Sequence, residues 1–201
     1  MDFAKLIERA KNICLSPKTE WAKIADEAAT TQSLFTGYAM ILAAIPAICG
    51  FIGMTVIGMS VPIVGTVRTG VAAGLTQLIV GYVLGLVAVF LLSLIIDALA
   101  PTFDGQKNHT NALKLAIYAY TPSWLAGVLM IIPLLGMLVI LAGIYGIYLL
   151  YLGLPHLMKN PAEKSVGYTA LIVVCAIVLG IVMSVVLGSI AGAGAMMGGL
   201  R

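Results

Sequence analysis

Residues 71–99 read VAAGLTQLIVGYVLGLVAVFLLSLIIDAL, and the only charge in this run is Asp97, close to its end. A helix needs about 20 consecutive apolar residues to cross the hydrocarbon core of a bilayer. A run apolar on every side has no solvent face, so it is buried in protein or in lipid. Four further stretches of this kind flank it: Leu34–Met59 with Pro46 inside, Asn111–Ile132 with Lys114 near its start and Pro122 in its middle, Pro133–Leu157, and Val166–Ala191. The expected fold is an all-α membrane protein, a bundle of five transmembrane helices over residues 34–191. An amphipathic interfacial segment, 1–33, precedes the bundle, and a Gly-rich tail, 192–201, trails from it. Segments three and four meet tightly at Ile132-Pro133 and read as a helical hairpin.

Composition supports a lipid-facing surface. Of the 201 residues 61% are hydrophobic and 9% charged, against about 25% charged in soluble domains. Such a chain cannot cover a water-facing surface. The net charge of +3 does not indicate nucleic-acid binding, because topology places the few basic residues. Lys5, Arg9, Lys11, Lys18 and Lys23 precede the first span, Lys107 and Lys114 lie at the 2–3 connection, and Lys159 and Lys164 lie in the 4–5 loop. The opposite side holds only Arg68 and Arg201. The positive-inside rule then gives a cytoplasmic N-terminus and an outside C-terminus in the inner membrane. The first 33 residues interleave acidic and basic side chains, unlike a cleavable leader, so the first span is expected to act as an uncleaved insertion signal.

In residues 1–15, Phe3, Leu6, Ile7, Ala10, Ile13 and Cys14 recur at helical spacing. Ser16-Pro17 reads as an N-cap and first helical position. A second short helix, 17–29, sets Trp21, Ile24, Ala25 and Ala28 on one side. Phe3 and Trp21 are the candidate interfacial residues, since an apolar helix face beside lysines lies on a headgroup layer. The alternative is a helix pair packed on the end of the bundle.

Helix association in lipid relies on small residues. Ala176, Gly180, Ser184, Gly188 and Gly192 form a ladder of spacing four, and Gly70, Gly74, Gly81, Gly85 and Gly136, Gly143, Gly146, Gly153 form two more runs. They serve packing within one chain or a homo-oligomer interface. Tyr145, Tyr148 and Tyr151 on segment four, with Tyr82, Tyr118 and Tyr120, either line a wet cavity or find partners in the protein.

The candidate functional residues form a polar cluster on the cytoplasmic side: Asp97, Asp104, Lys107, His109 and Lys114, joined by His156, Lys159, Asn160, Glu163 and Lys164. An ionisable residue inside a span is a functional candidate by default, and Asp97 is the leading one. It either pairs with Lys114 or Lys107 at the helix end or handles an ion or proton. No zinc spacing is present: Cys14, Cys49 and Cys175 form no CxxC pair, and no metal or other cofactor is expected. HExxH, GxSxG and P-loop motifs are absent, so no catalytic residues are assigned and an enzyme is not expected.

The order of several stretches resembles the Yip1 family in its bacterial form. These are Pro17-x-x-x-Trp21-x-x-Ile24-x-x-Glu27, YAMILAAIPA over Tyr38–Ala47, Phe51-Ile52-Gly53, and Phe103-x-Gly105 leading into Ala112-Leu113-Lys114. Ala119-Tyr120-x-Pro122, YLLYLGLP over Tyr148–Pro155, Ala162-Glu163-Lys164 and Gly167-Tyr168 complete the pattern. The resemblance implies five transmembrane helices and a cytoplasmic N-terminal region, and brings no catalytic residues. Eukaryotic members of that family are associated with Rab GTPases and vesicle traffic. The N-terminal segment here is short, and a bacterial chain has no Rab partner, so that role is not carried over. The expected function is a membrane organiser or adaptor acting through its cytoplasmic face, with membrane lipids and a protein at that face as partners. The alternative is a small channel or transporter whose polar path starts at Asp97. An enzyme acting on lipid headgroups is a third reading without a supporting motif.

Overall fold

The computed structural model describes residues 3–61 and 65–198. Two short helices come first, α1 (Phe3–Leu15) and α2 (Pro17–Asp26). Ser16 is the N-cap residue of α2 and Pro17 follows at its first turn, where a missing N–H costs nothing. A continuous helical segment, Thr31–Ile57, contains α3 (Thr31–Leu34) and α4 (Met40–Ile52) with a π-helical turn after each, Phe35–Ala39 and Gly53–Ile57. Thr30 and Ser33 form a reciprocal capping box at its start, at 3.1 and 3.0 Å. Gly58, with φ 83°, ends it by donating to Gly53 O at 2.7 Å, a left-handed stop that suits glycine.

Here the structure departs from the sequence reading. Met59 is not the last residue of a span but the first of a small hairpin, β1 (Met59–Val61) against β2 (Gly65–Val67). The strands are antiparallel, Met59 facing Val67 and Ser60 facing Thr66. Thr69 N donates to Met54 O at 2.9 Å and ties the hairpin back to the helix end. Three-residue strands carry no periodicity to read.

The long helix α5 (Val71–Leu99) follows, then a 3-10 turn to Phe103 and the loop to Asn108. α6 (His109–Ala126) ends in a 3-10 stretch, Gly127–Ile131. A second 3-10 stretch, Pro133–Leu138, leads into α7 (Val139–Leu157), which packs back along α6 as the Ile132-Pro133 junction implied. α8 (Ser165–Gly198) closes the chain against α5. The Gly-rich stretch thus begins as a continuation of α8, and residues 199–201 lie outside the described set.

Among the described residues four helices are long and apolar enough to cross a membrane: Thr31–Ile57, Val71–Phe103, Pro133–Leu157 and Ala162–Ile190. α6 is not among them. It is the central helix, touching α1, α3, α4, α5 and α7, and the whole run Ala112–Ala119 is buried. Close contact builds this centre. A Cβ on Gly146 would lie 2.7 Å from Ala119 O, and one on Gly127 would lie 2.6 Å from Pro46 Cβ. The spanning helices keep their outer faces apolar and exposed, as at Ile140, Leu141, Val174 and Ile181. The fold is an all-α membrane protein.

Candidate functional site

The site is built where α1 and α2 cover α6 and α7. Leu6, Ala10 and Ile13 of α1 and Trp21 and Ile24 of α2 are buried, the last three at 0% exposure. Trp21 is therefore turned into the bundle and not toward a headgroup layer. Its ring meets Tyr118 edge-on at 6.3 Å and fills the space left by Gly153. Phe3 is the opposite case, 65% exposed together with Ile7 and Leu15 on the outer side of α1. The N-terminal pair is thus packed on the bundle through Trp21, while Phe3 lies on its uncovered side.

Side chains from the bundle cap both short helices. The carbonyls of a last helical turn have no partner within the helix and carry the negative end of its dipole. Lys114 of α6, buried along its length, donates from Nζ to Ile24 O at 2.9 Å and Glu27 O at 2.5 Å, closing α2. Tyr145 of α7 donates from its hydroxyl to Cys14 O at 2.7 Å, closing α1. A third tie is ionic. Arg9 donates to Glu20 at 2.5 Å and pairs with Glu27, while its guanidinium lies 5.9 Å from the centre of the Tyr118 ring. Burial alone would lower the Arg9 pKa, but the hydrogen bond and charge of Glu27, with Tyr118 and Glu20, outweigh it and raise the value. Burial raises the Cys14 thiol, which therefore stays protonated at neutral pH.

The polar cluster read from sequence does not come together as one site. Asp97 pairs with neither Lys114 nor Lys107. It is half-buried on the last turn of α5, and its Oδ1 has no hydrogen-bond partner among the described residues. Beside it, Tyr168 donates its hydroxyl to Ile96 O and stacks on Phe103 at 4.7 Å. Asp104 pairs with Lys164, joining the 100–108 loop to the loop after α7. Gln106 N strengthens that junction by donating to Met158 O at 2.7 Å, and Asn111 Nδ2 donates to Leu157 O at 3.1 Å. Lys107 is exposed. His109 packs edge-on against Phe90 at 5.6 Å, and its Nδ1 has no partner among the described residues. Among the described residues no three His, Cys, Asp or Glu side chains converge as a metal site.

The tyrosines do not share a cavity. Tyr38 bonds Thr121 at 3.0 Å, Tyr82 donates to Met40 O at 2.9 Å, and Tyr145 and Tyr168 bond the carbonyls named above. Tyr148 and Tyr151 face outward. Arg9, Glu20 and Tyr145 escaped the sequence reading of the site. Arg9 on an otherwise apolar-facing helix, and Glu20 beside Trp21, were the available signals.

Helices apolar around their outer faces, a central helix enclosed by its neighbours and a capped amphipathic pair define a multi-pass α-helical membrane protein. The chain belongs to the Yip1 family: the Yip1 domain matches residues 11–196, nearly the whole chain. It is similar to the inner membrane protein YohC of Escherichia coli, in strain K12 and in an O6:H1 strain. The identity is 25% over 166 residues, covering 81% of this chain and 85% of the relative. No solved structure matches it.

Proposed function

We propose that this protein is a non-enzymatic membrane organiser that crosses the inner membrane five times, with α6 as the third span and its N-terminus in the cytoplasm. The observation that carries this reading is the capped α1–α2 pair. Lys114, Tyr145 and Trp21 hold it to the bundle, so it is a built surface and not a loose tail. It turns Phe3, Ile7 and Leu15 outward, and Lys5, Lys11, Lys18 and Lys23 are exposed around them. Apolar anchors among lysines suit an anionic leaflet, each basic residue near it contributing about 1 kcal/mol. The joined loops 100–108 and 158–164 extend the same face and offer a place for a protein partner.

Two measurements test it. Single cysteines at Gln106 and Leu134, in a background without the natural three, are labelled with an impermeant maleimide. Five spans place them on opposite sides; labelling from the same side removes α6 as a span. Binding of the reconstituted protein to a second population of vesicles is then compared with the Phe3→Ser, Ile7→Ser variant. Clustering of anionic vesicles that the variant loses supports the organiser.

A second reading, ion or proton passage near Asp97, is favoured by the unpartnered Oδ1 of that residue. Flux of protons, metal cations or small anions in proteoliposomes, lost in Asp97→Asn, would make the protein a transporter and overturn the organiser.

A further inference from the structure

At the hairpin end of the bundle, the Thr31–Ile57 segment meets α5 at places that bracket a cleft. Near the hairpin, a Cβ on Gly74 would lie 2.6 Å from Thr55 Oγ1. Toward the other end, the Tyr82 hydroxyl donates to Met40 O. Between these contacts lies a cleft of about 310 Å³, lined by Pro46, Phe51, Leu78, Trp124 and Leu187 among others. That volume falls within the ~300–1,000 Å³ range of small-molecule sites.

The glycines explain the gap. Glycine runs usually bring helices together, yet a Cβ on Gly50 or Gly85 would meet nothing within 4 Å, and one on Gly81 would meet only Leu187 at 3.9 Å. Their missing side chains leave room that no neighbouring backbone takes. The two helices are membrane-spanning, so the medium beside the opening is acyl chain and not water. Empty apolar walls forfeit dispersion contacts that such a chain restores.

The polar groups sit at one end only. Thr55 Oγ1, at the hairpin end of the cleft, is buried without a partner among the described residues. Just beyond it is Arg68, the one charged residue between Glu27 and Asp97. Its Nε donates to Ile57 O at 3.3 Å, and its Cγ packs over Gly58, which holds the guanidinium at the end of the helix that lines the cleft. No carboxylate pairs with it among the described residues. A guanidinium in that position matches a phosphate oxygen pair.

We propose that the cleft is a phospholipid site, with one acyl chain along Gly50, Gly81 and Gly85 and the lipid phosphate at Arg68. The apolar lining of the cleft and the charge near its hairpin end fit one lipid of the hairpin-side leaflet, held longer than its neighbours.

The test is photolabelling of the full protein in vesicles that contain a trace of phospholipid with a diazirine on one acyl chain, or of the matching diacylglycerol. Label on peptides with Phe51, Leu78 and Trp124 is expected to exceed label on the outer face of α8. Gly81→Leu with Gly85→Leu should bring it down to the α8 level, while Gly180→Leu, also in open space, should not. Arg68→Gln should reduce labelling by the phospholipid about tenfold, the worth of one charge-assisted hydrogen bond, and leave the diacylglycerol signal unchanged. Arg68 is on the exposed hairpin, so this arm stands even where the glycine variant does not fold. Equal labelling of cleft and α8, indifference to Arg68→Gln, or a protein–protein adduct at the cleft from a second copy would each overturn the proposal.

Discussion

Gly153 and Trp21 share one space: a Cβ on Gly153 would lie 2.8 Å from the Trp21 ring and 2.5 Å from Leu115 Cδ1. The glycine is a socket for the indole, and through it α2 is seated on α7. Gly153→Ala is expected to destabilise by roughly 1–3 kcal/mol through overpacking. Trp21→Ala should cost about 3–5 kcal/mol through the cavity it leaves. The double variant should be less damaged than the sum of the two, because removing the ring makes room for the methyl. Thermal unfolding in detergent reads all three, and a Gly153→Ala protein that melts like the parent would refute the socket.

Lys114 is expected to hold the end of α2 and nothing else. Lys114→Met keeps much of the packed stem and removes the donor to Ile24 O and Glu27 O, leaving the buried Ile24 carbonyl unpaired at a cost of about 1–3 kcal/mol and returning the more exposed Glu27 carbonyl to solvent. Hydrogen exchange should quicken at the amides of residues 24–30 and stay slow in α7. Uniform quickening through the bundle would instead make Lys114 a general core residue.

Arg9 neutralises Glu20, which is 3% exposed. Arg9→Ala leaves that carboxylate with only the exposed Lys23 ammonium, 3.4 Å from Glu20 Oε2, and should destabilise by less than the roughly 3–5 kcal/mol typical of a buried charge left with no partner. Thermal unfolding of Arg9→Ala, Glu20→Gln and the double variant reads the pair, the double variant being expected to lose less than the sum of the two single losses. Strictly additive losses would discard the ion pair as the cause.

Asp104 and Gly105 are neighbours with opposite expected sensitivity. The Asp104–Lys164 pair is exposed, 60% and 46% at the two side chains, so Asp104→Asn should change stability by less than about 1 kcal/mol. Asn also tolerates the left-handed backbone, φ 57°, found there. A Cβ on Gly105 would lie 3.0 Å from Met158 O and 3.1 Å from Ala100 O, two backbone atoms that cannot swing aside. Gly105→Ala should loosen the junction of the two loops, measured as faster proteolysis between Pro101 and Asn108. Equal tolerance of both substitutions would show that the junction has slack.

Four spanning helices were legible because their side chains must meet lipid: an uninterrupted apolar run such as Val71–Leu99 has no other stable surroundings. The N-cap at Ser16-Pro17 was legible for a similarly local reason. α6 is the instructive case. Its sequence read as a third span with Lys114 and Pro122 inside it, and the helix is surrounded by protein, where polar groups find partners and apolar uniformity is not required. The pairing of Lys114 could not be read locally, since its partners are backbone carbonyls 90 and 87 residues away. Every helix end exposes such carbonyls, so nothing in the side-chain pattern marks which end a lysine will reach.

By itself, then, the sequence determined a membrane protein: hydrophobic runs of spanning length, an amphipathic start and an uneven charge distribution are each local properties with a direct physical reading. Tertiary structure alone decided which glycines serve as sockets and which leave a gap. Gly153 and Gly85 are identical as residues, and one has Trp21 against it while the other has nothing within 4 Å. It also decided that Trp21 faces inward and that, among the described residues, Asp97 forms no ion pair. An amphipathic helix states that one side is apolar, and only the packing of the whole chain settles whether protein or lipid covers it.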